Sequence, residues 1–400
     1  MDSMDMLTNL EHLQPYFQPI FSADEHVVIG YEILGRYVND SGTIDIASFI
    51  QDEQIPEEYR IEVDQYLLQL ALKKISASSE NFLIFIRCEA NLLMLDYGDS
   101  LLELLKSHLG EDALSRVVIE LSENRFEGDF DSLHHLLTYY KTYGIKIAIN
   151  DIGLNSHLEK IATLSPQILK INKSLLISES WGTQKDFISS TGILARKIGA
   201  SLLFDGIEDV YQLQFAWKNG VRYYQGAYLA EPDEHFIDRE QLKEQFKEEC
   251  HRFIISEKRT LENRYDAKKK MQETIQTIVS KVKPSSVDLE QLKTVATLLD
   301  DISFRLYVCD EDGFQTSPNI VRCNGKWLVQ EENKQKNWSW RPYFLKTIIT
   351  MRNDQKGELS DSYSDIETGE IIRTFSIPLN AQEYLFIDIS YNYLFEHDIF

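Results

Sequence analysis

The stretch Ile145 to Asn172, IKIAINDIGLNSHLEKIATLSPQILKIN, decides the fold. It opens on Ile145, Ile147, Ala148 and Ile149, then stops on Asn150, Asp151, Ile152 and Gly153. A helical pattern follows, and then a second apolar run, Ile168 to Ile171, which carries Lys170. Two short apolar runs joined by a helix read as a βαβ unit with parallel strands. The C-terminal ends of such strands are where α/β folds place their chemistry. Taken alone, an Asn-Asp pair there is more often a polar turn capping a strand.

The rest of the first half repeats the pattern. Val27–Tyr31 reads as a strand ending at Glu32, Leu34 and Arg36, and Phe82–Ile86 as one ending at Arg87. Arg116–Ile119 leads to Glu120 and Glu123, Ser201–Phe204 to Asp205 and Glu208, and Val221–Tyr224 to Gln225. Helical periodicity fills Ile61–Ile75, Leu92–Leu105, Leu133–Tyr143, Phe187–Ile198 and Val210–Lys218, with Gly144 as a left-handed cap and Gly199 ending its helix. Seven strand candidates thus end in Glu32, Arg87, Glu120, Asp151, Lys170, Asp205 and Gln225. That count points to a (β/α)8 TIM-like barrel, with a doubly wound open sheet as the alternative. Four carboxylates at equivalent tips gather like charge in one mouth and call for cations. All-oxygen ligands suit Mg²⁺, Mn²⁺ or Ca²⁺ rather than zinc, and such ions beside a lysine suit phosphodiester chemistry.

Composition sets the outer bounds. The 400 residues suffice for two or three domains, and 43% hydrophobic with 26% charged residues describes an ordinary globular chain. A formal net charge of -23 disfavours a nucleic-acid polymer as partner, the run Lys268-Lys269-Lys270 being the one short basic patch. The four cysteines, Cys88, Cys250, Cys309 and Cys323, form no CxxC and suit neither zinc nor a disulfide scaffold. No signal-peptide core and no membrane-length apolar run occur, so the expected location is cytoplasmic, away from membranes.

At these residues the chain resembles the EAL family of cyclic di-GMP phosphodiesterases over roughly its first 240 residues. The name motif appears as Glu32-Ile33-Leu34 followed by Arg36, and the opening motif as Gln18-Pro19-Ile20. Others appear as Glu120-Leu121-Ser122-Glu123, Asn150-Asp151-Ile152-Gly153-Leu154-Asn155, Lys170-Ile171-Asn172, Asp205-Gly206-Ile207-Glu208 and Gln225-Gly226. The resemblance implies Glu32, Glu120, Asp151 and Asp205 as metal ligands and Lys170 as the aid to an attacking water. It implies Arg36 on a phosphate, Gln18, Glu32, Leu34 and Gln225 around the dinucleotide, and Glu208 in the catalytic set. Glu123 would brace the loop after Asp151. Four departures run against a competent enzyme. Arg87 stands where the family has an asparagine ligand, and a guanidinium cannot ligate a cation. Asn150 replaces the first acid of a pair, Asp205 replaces a glutamate, and Asn155 replaces a glycine. The implied protein is a cyclic di-GMP-binding signalling protein with a degenerate, weakly held metal and slow or absent hydrolysis. The alternatives are an active metal-dependent phosphodiesterase yielding linear pGpG, and a scaffold that has lost the ligand as well.

Three segments follow from this reading: a barrel over 1–240, a helical linker over 241–283, and a sensor over 284–400. The linker places Phe246, Phe253, Leu261, Tyr265, Ile275, Ile278 and Val282 at helical spacing, either to pack on the barrel or to pair two copies as a homodimer. The last segment alternates strands and turns, as an α+β fold does, and is similar to PAS/Cache-type sensors. Arg341, Tyr343 and Asp361 are its candidate pocket residues for an unknown small ligand, while Trp340 and Tyr343 read equally as core aromatics.

Overall fold

The computed structural model describes residues 3–39, 42–122, 124–153, 156–173, 181–286, 288–341 and 344–399. Glu123, Asn155 and Tyr343 lie outside the described residues. The chain divides into two compact units, residues 1–253 and 254–400.

In the first unit a sheet closes on itself. Strands β2 (Val28–Asn39), β4 (Leu83–Arg87), β5 (Val117–Ser122), β6 (Lys146–Ile152), β7 (Ile168–Asn172), β8 (Ser201–Asp205) and β9 (Tyr223–Tyr224) pair in parallel in that order. Strand β1 (Leu13–Ser22) runs antiparallel and pairs with both β2 and β9, which closes an eight-stranded barrel and excludes the open sheet. The short β3 (Gly42–Asp45) extends the far end of β2. Two sequence expectations change here. The opening motif Gln18-Pro19-Ile20 lies within an eighth strand, the ten-residue β1, which the tip count missed because its polar residue comes before the apolar ones. Strand β2 does not end at Glu32: it pairs with β4 as far as Glu32 and then continues to Asn39 against β1 and β3.

Period-two alternation sorts the strand residues into layers. Ile20, Phe85, Val118, Ala148, Ile168 and Leu203 form one small cluster, the plug inside the barrel. Their chain neighbours Ile84, Ile86, Val117, Ile119, Ile147, Ile149, Leu202 and Phe204 belong to the large core under the outer helices. The helix Glu57–Ala77 buries Val63, Leu67, Leu68, Ala71, Leu72 and Ile75. The predicted helix 92–105 is broken: Ala90–Leu93, a single-turn Met94–Asp96 and then Asp99–Leu109, with Tyr97 and Gly98 left-handed between them.

The helix Lys243–Val282 is continuous, and the cut between the units falls within it. Phe246, Cys250 and Phe253 pack into the barrel core, and Met271, Ile275 and Val279 into the core of the second unit. The 241–283 segment is therefore shared between the units at the level of packing. In the second unit an antiparallel sheet is ordered β12 (Lys326–Gln330), β11 (Asn319–Cys323), β10 (Ser303–Asp310), β16 (Glu383–Ile389), β15 (Ile371–Pro378), β13 (Glu358–Leu359), with β14 (Tyr363–Ser364) also on β15. Leu306, Val308, Leu385 and Ile387 face the helices, while Tyr307, Cys309, Tyr384 and Phe386 face Phe344, Ile348 and Met351.

Gly226 is the tightest backbone passage of the barrel. Its φ is 150°, and an added Cβ would sit 2.2 Å from the Ile207 nitrogen and 2.3 Å from its carbonyl oxygen. Gly226→Ala should lose at least about 2 kcal/mol of stability, since neither backbone can yield cheaply. An unchanged urea midpoint would contradict this close approach.

Candidate ligand and metal site

The barrel's polar end follows from the same period of two. Stepping two residues on from each plug residue gives Arg87, Glu120, Asn150, Lys170 and Asp205, and stepping from Gly30 and Tyr223 gives Glu32 and Gln225. Because β1 runs the other way, its contribution comes two residues earlier, at Gln18, which stands in register opposite Glu32. One layer of apolar side chains thus floors one layer of polar ones.

Lys170 is at the centre and is 1% exposed. Its Nζ donates to Glu32 Oε2 at 2.6 Å and to Glu120 Oε2 at 3.1 Å, with Asp205 Oδ2 at 3.7 Å. Gln225 Nε2 donates to the same Glu32 oxygen. Burial acts to lower the Lys170 pKa, but Glu120, Glu32 and Asp205 outweigh it and raise it, so the amine stays protonated. One ammonium cannot neutralise two buried acids equally. Burial opposes ionisation of Glu32, yet Lys170 and the Gln225 amide hold it below the usual range. Burial and then the Glu32 charge push Glu120 up to about 8. Burial also raises Asp205.

Arg87 forms the second pairing, its Nη2 donating to Asp151 Oδ2 at 3.0 Å. Burial acts against its charge, but Asp151, Glu32, Glu120 and Asp205 together hold it firmly protonated. Asp151 adopts φ 55°, and the β6–β7 register shifts between Ile149 and Ile152. That left-handed residue, tolerable for aspartate, turns its carboxylate out of the strand's alternation. Asn150 keeps the interior position that the alternation assigns it and is 3% exposed; its Oδ1 accepts the Asp151 amide at 2.8 Å, and among the described residues its Nδ2 is buried without a partner. Gln225 Oε1 is likewise buried and unpartnered.

The remaining site candidates divide. Gln18 donates to the Ala230 carbonyl at 2.8 Å, which ties β1 to the chain after β9. Arg36 pairs with Asp45 at 2.8 Å and lies 6.0 Å from the Tyr16 ring, beyond the paired stretch of β2 and β4. Leu34 lines a small cavity with Gly35 and Arg87. Glu208 is not brought to the central cluster; it pairs with Lys173, a residue sequence reasoning passed over. Lys173 follows Asn172 directly, and its place just past a strand tip was the available signal.

In the second unit a cavity of about 240 Å³ is lined by Arg305, Tyr307, Trp338, Arg341 and Asp365, among others. Arg341 lies with its guanidinium 4.5 Å from the Trp338 ring. Asp361 is exposed and does not line this cavity; the acid there is Asp365, which with Asp388 holds the buried Arg305 at 2.5 and 2.6 Å. A charged residue in the apolar run of β10 was the missed signal. Trp340 is 63% exposed and is no core aromatic.

Residues 3–232 match the EAL domain family, and residues 236–400 match a family described as an EAL-domain associated signalling protein domain. The chain belongs to the EAL family. The uncharacterized EAL-domain containing protein YkuI of Bacillus subtilis (strain 168) is 47% identical over 403 residues, spanning 100% of this chain and 99% of the relative. A crystal structure of B. subtilis YkuI, in complex with substrate c-di-GMP and calcium, superposes with TM-score 0.93 at 46% identity, covering 100% of both chains. The cyclic di-GMP phosphodiesterase PdeL of Escherichia coli (strain K12) is 26% identical over 247 residues, 58% of this chain and 65% of that one. An EAL domain protein from Listeria monocytogenes EGD-e shares the fold at 23% identity and TM-score 0.51, over 58% of this chain and 94% of that one. No helix among the described residues is long and apolar enough to cross a membrane.

The donor chemistry fits one hard cation in this EAL barrel. Glu32, Glu120, Asp151 and Asp205 are four carboxylates facing two cations, Lys170 and Arg87. Fully ionised, the six groups leave an excess of two negative charges, which one divalent ion balances. Among the described residues, no three His, Cys, Asp or Glu side chains converge as a closed metal site. The Lys170 ammonium stands between the acids that would otherwise converge.

Lys170→Met removes the only cation that touches Glu32 and Glu120 among the described residues, and should cost about 3–5 kcal/mol. Burial would then lift Glu32 above its unfolded value and Glu120 further above its own, so the native state binds more protons than the unfolded one. Stability of the variant should fall as pH rises, with a larger loss at about pH 8 than at about pH 5. Equal losses at both, by urea unfolding, would refute the assignment.

Proposed function

We propose that this protein is a cyclic di-GMP receptor of the EAL family, with weak or absent phosphodiesterase activity. The observation that carries the reading is the Arg87–Asp151 ion pair at 3.0 Å beside the neutral Asn150. Two-ion cleavage needs one cation near the attacking oxygen and one near the leaving oxygen. The charge balance at this polar end accommodates one. Glu32, Glu120 and Asp205 would hold it, and it would supply charge to a phosphate oxygen. A second would meet the Arg87 guanidinium. Phosphate and base contacts do not depend on activated water, so affinity can outlast turnover. Arg36 supplies a phosphate contact, Leu34, Gln18 and Gln225 line the ligand, and Lys170 faces the water.

The runner-up is an active enzyme that yields linear pGpG. In its favour, the Glu32, Glu120 and Asp205 carboxylates all gather within 3.7 Å of the Lys170 ammonium, the kind of acid cluster a divalent ion requires. Calorimetry with cyclic di-GMP, with and without Mg²⁺, Mn²⁺ or Ca²⁺, and chromatography of the product separate the two. We expect binding with slow or no hydrolysis. Arg36→Ala should lose about 1.5–3 kcal/mol of binding, as a charge-assisted contact does. Arg87→Asn with Asn150→Asp should raise both metal affinity and rate, more than either alone. Rapid turnover by the unaltered protein overturns the receptor reading.

A homodimer belongs to the same proposal. On the helix Lys243–Val282, Ile254, Leu261 and Tyr265 share one face and are 38%, 54% and 65% exposed. A second copy covers such a stripe by symmetry. The second unit acts as a PAS/Cache-like sensor in this reading, its 240 Å³ cavity taking a small ligand at Arg341. Light scattering at micromolar concentration should give twice the chain mass; a monomer counts against the pairing.

A further inference from the structure

Outside the barrel, a cavity of about 250 Å³ lies among the helix Glu57–Ala77, the segment after β4 and the helix Asp99–Leu109. Its walls are leucines, among them Leu68, Leu92, Leu101 and Leu104. Its polar groups are mainly acidic: Asp64, Glu89 and Asp96 line it, and no lysine or arginine does. Asp96 is already engaged, accepting the amides of Gly98 and Ser100. Asp64 is not engaged. Among the described residues it has no hydrogen bond and no ion pair, and Arg60, one helical turn before it, reaches instead to the Ile50 carbonyl. Burial alone lifts Asp64 to about 7, with no cation to offset it.

Asp64 is partly exposed at this hollow, and an unpaired carboxyl against apolar walls is stabilised by a cation brought beside it. We propose that this cavity is a second binding site, for a small molecule with an ammonium head and a short apolar body. The head pairs with Asp64, with Glu89 beside it, and the body fills the leucine walls. The volume is below that of drug-sized clefts, which bounds the occupant to a small amine. Charge complementarity selects the sign: anions meet three acids and no base. A smaller cavity of about 80 Å³ shares Asp64, Cys88 and Glu89 and continues to Arg87, Gly35 and Leu34. The site therefore adjoins the barrel's polar end through the chain neighbours of Arg87. It does not rest on the cyclic di-GMP reading.

Calorimetric titration of the full chain with hexylammonium chloride, slightly above neutral pH, tests the site. A single saturable site is expected, at least tenfold tighter than for hexan-1-ol and at least tenfold weaker in Asp64→Asn. Asparagine keeps the shape and removes the charge, and near-native circular dichroism of that variant is the control for folding. On the unaltered protein, saturating hexylammonium should slow maleimide labelling of Cys88, which lines both cavities, relative to the exposed Cys323. Equal affinity for the alcohol, equal affinity in Asp64→Asn, or no saturable heat overturns the proposal. An unchanged Cys88 rate at saturation overturns the placement.

Discussion

The Lys170 ammonium is the group on which the barrel's polar end depends. It is buried with Glu32 and Glu120, so the three cannot be considered one at a time. Without the lysine, two carboxylates would face each other in a medium that stabilises neither. Without the acids, the lysine would be an uncompensated buried charge. Desolvation of such a cluster is expensive, and its attraction repays that cost only when geometry is good and other hydrogen bonds complete the shell. Gln225 and Asp205 supply part of that shell here. The result is an acid end that is partly neutralised by the protein itself.

The layering that produces this end is also what made it readable. A strand side chain points alternately in and out, so an apolar interior residue followed two positions later by a charged one places that charge just above the plug. Phe85 with Arg87, Val118 with Glu120, Ile168 with Lys170 and Leu203 with Asp205 all obey this, and the apolar runs and their polar ends stood plainly in the sequence. Where the alternation breaks, reading failed. At Asp151 the left-handed backbone swings the acid toward Arg87, and no local pattern announces a positive φ there. At β1 the strand runs backwards, so its polar residue precedes its apolar ones. At Glu208 the strand tip was legible, but the partner, Lys173, is a tertiary fact.

The second unit was less legible for a physical reason. Antiparallel strands joined by turns specify their register through cross-strand pairs, which a single sequence does not display. The alternation of strands and turns was visible. The buried Arg305 with Asp365 and Asp388 was not, since its members are separated by 60 and 83 positions. The pocket acid fell at Asp365 rather than Asp361, four positions on and just past the short β14. In the long helix the spacing of apolar residues was clear, but which of them would be covered was not: Phe246, Phe253 and Ile275 are buried, and Leu261 and Tyr265 are open.

The raised titration of Glu120 carries a consequence for any ion that enters beside it. At neutral pH this carboxyl holds its proton for much of the time, and a hard cation can use the oxygen only once the proton has left. Uptake of the ion and release of a proton are then two sides of one event. The heat of such uptake would contain the ionisation heat of the buffer, and would differ between buffers at identical pH. Apparent affinity for the ion would strengthen on the alkaline side. In a cell, the barrel's occupancy would follow proton concentration as well as ion concentration.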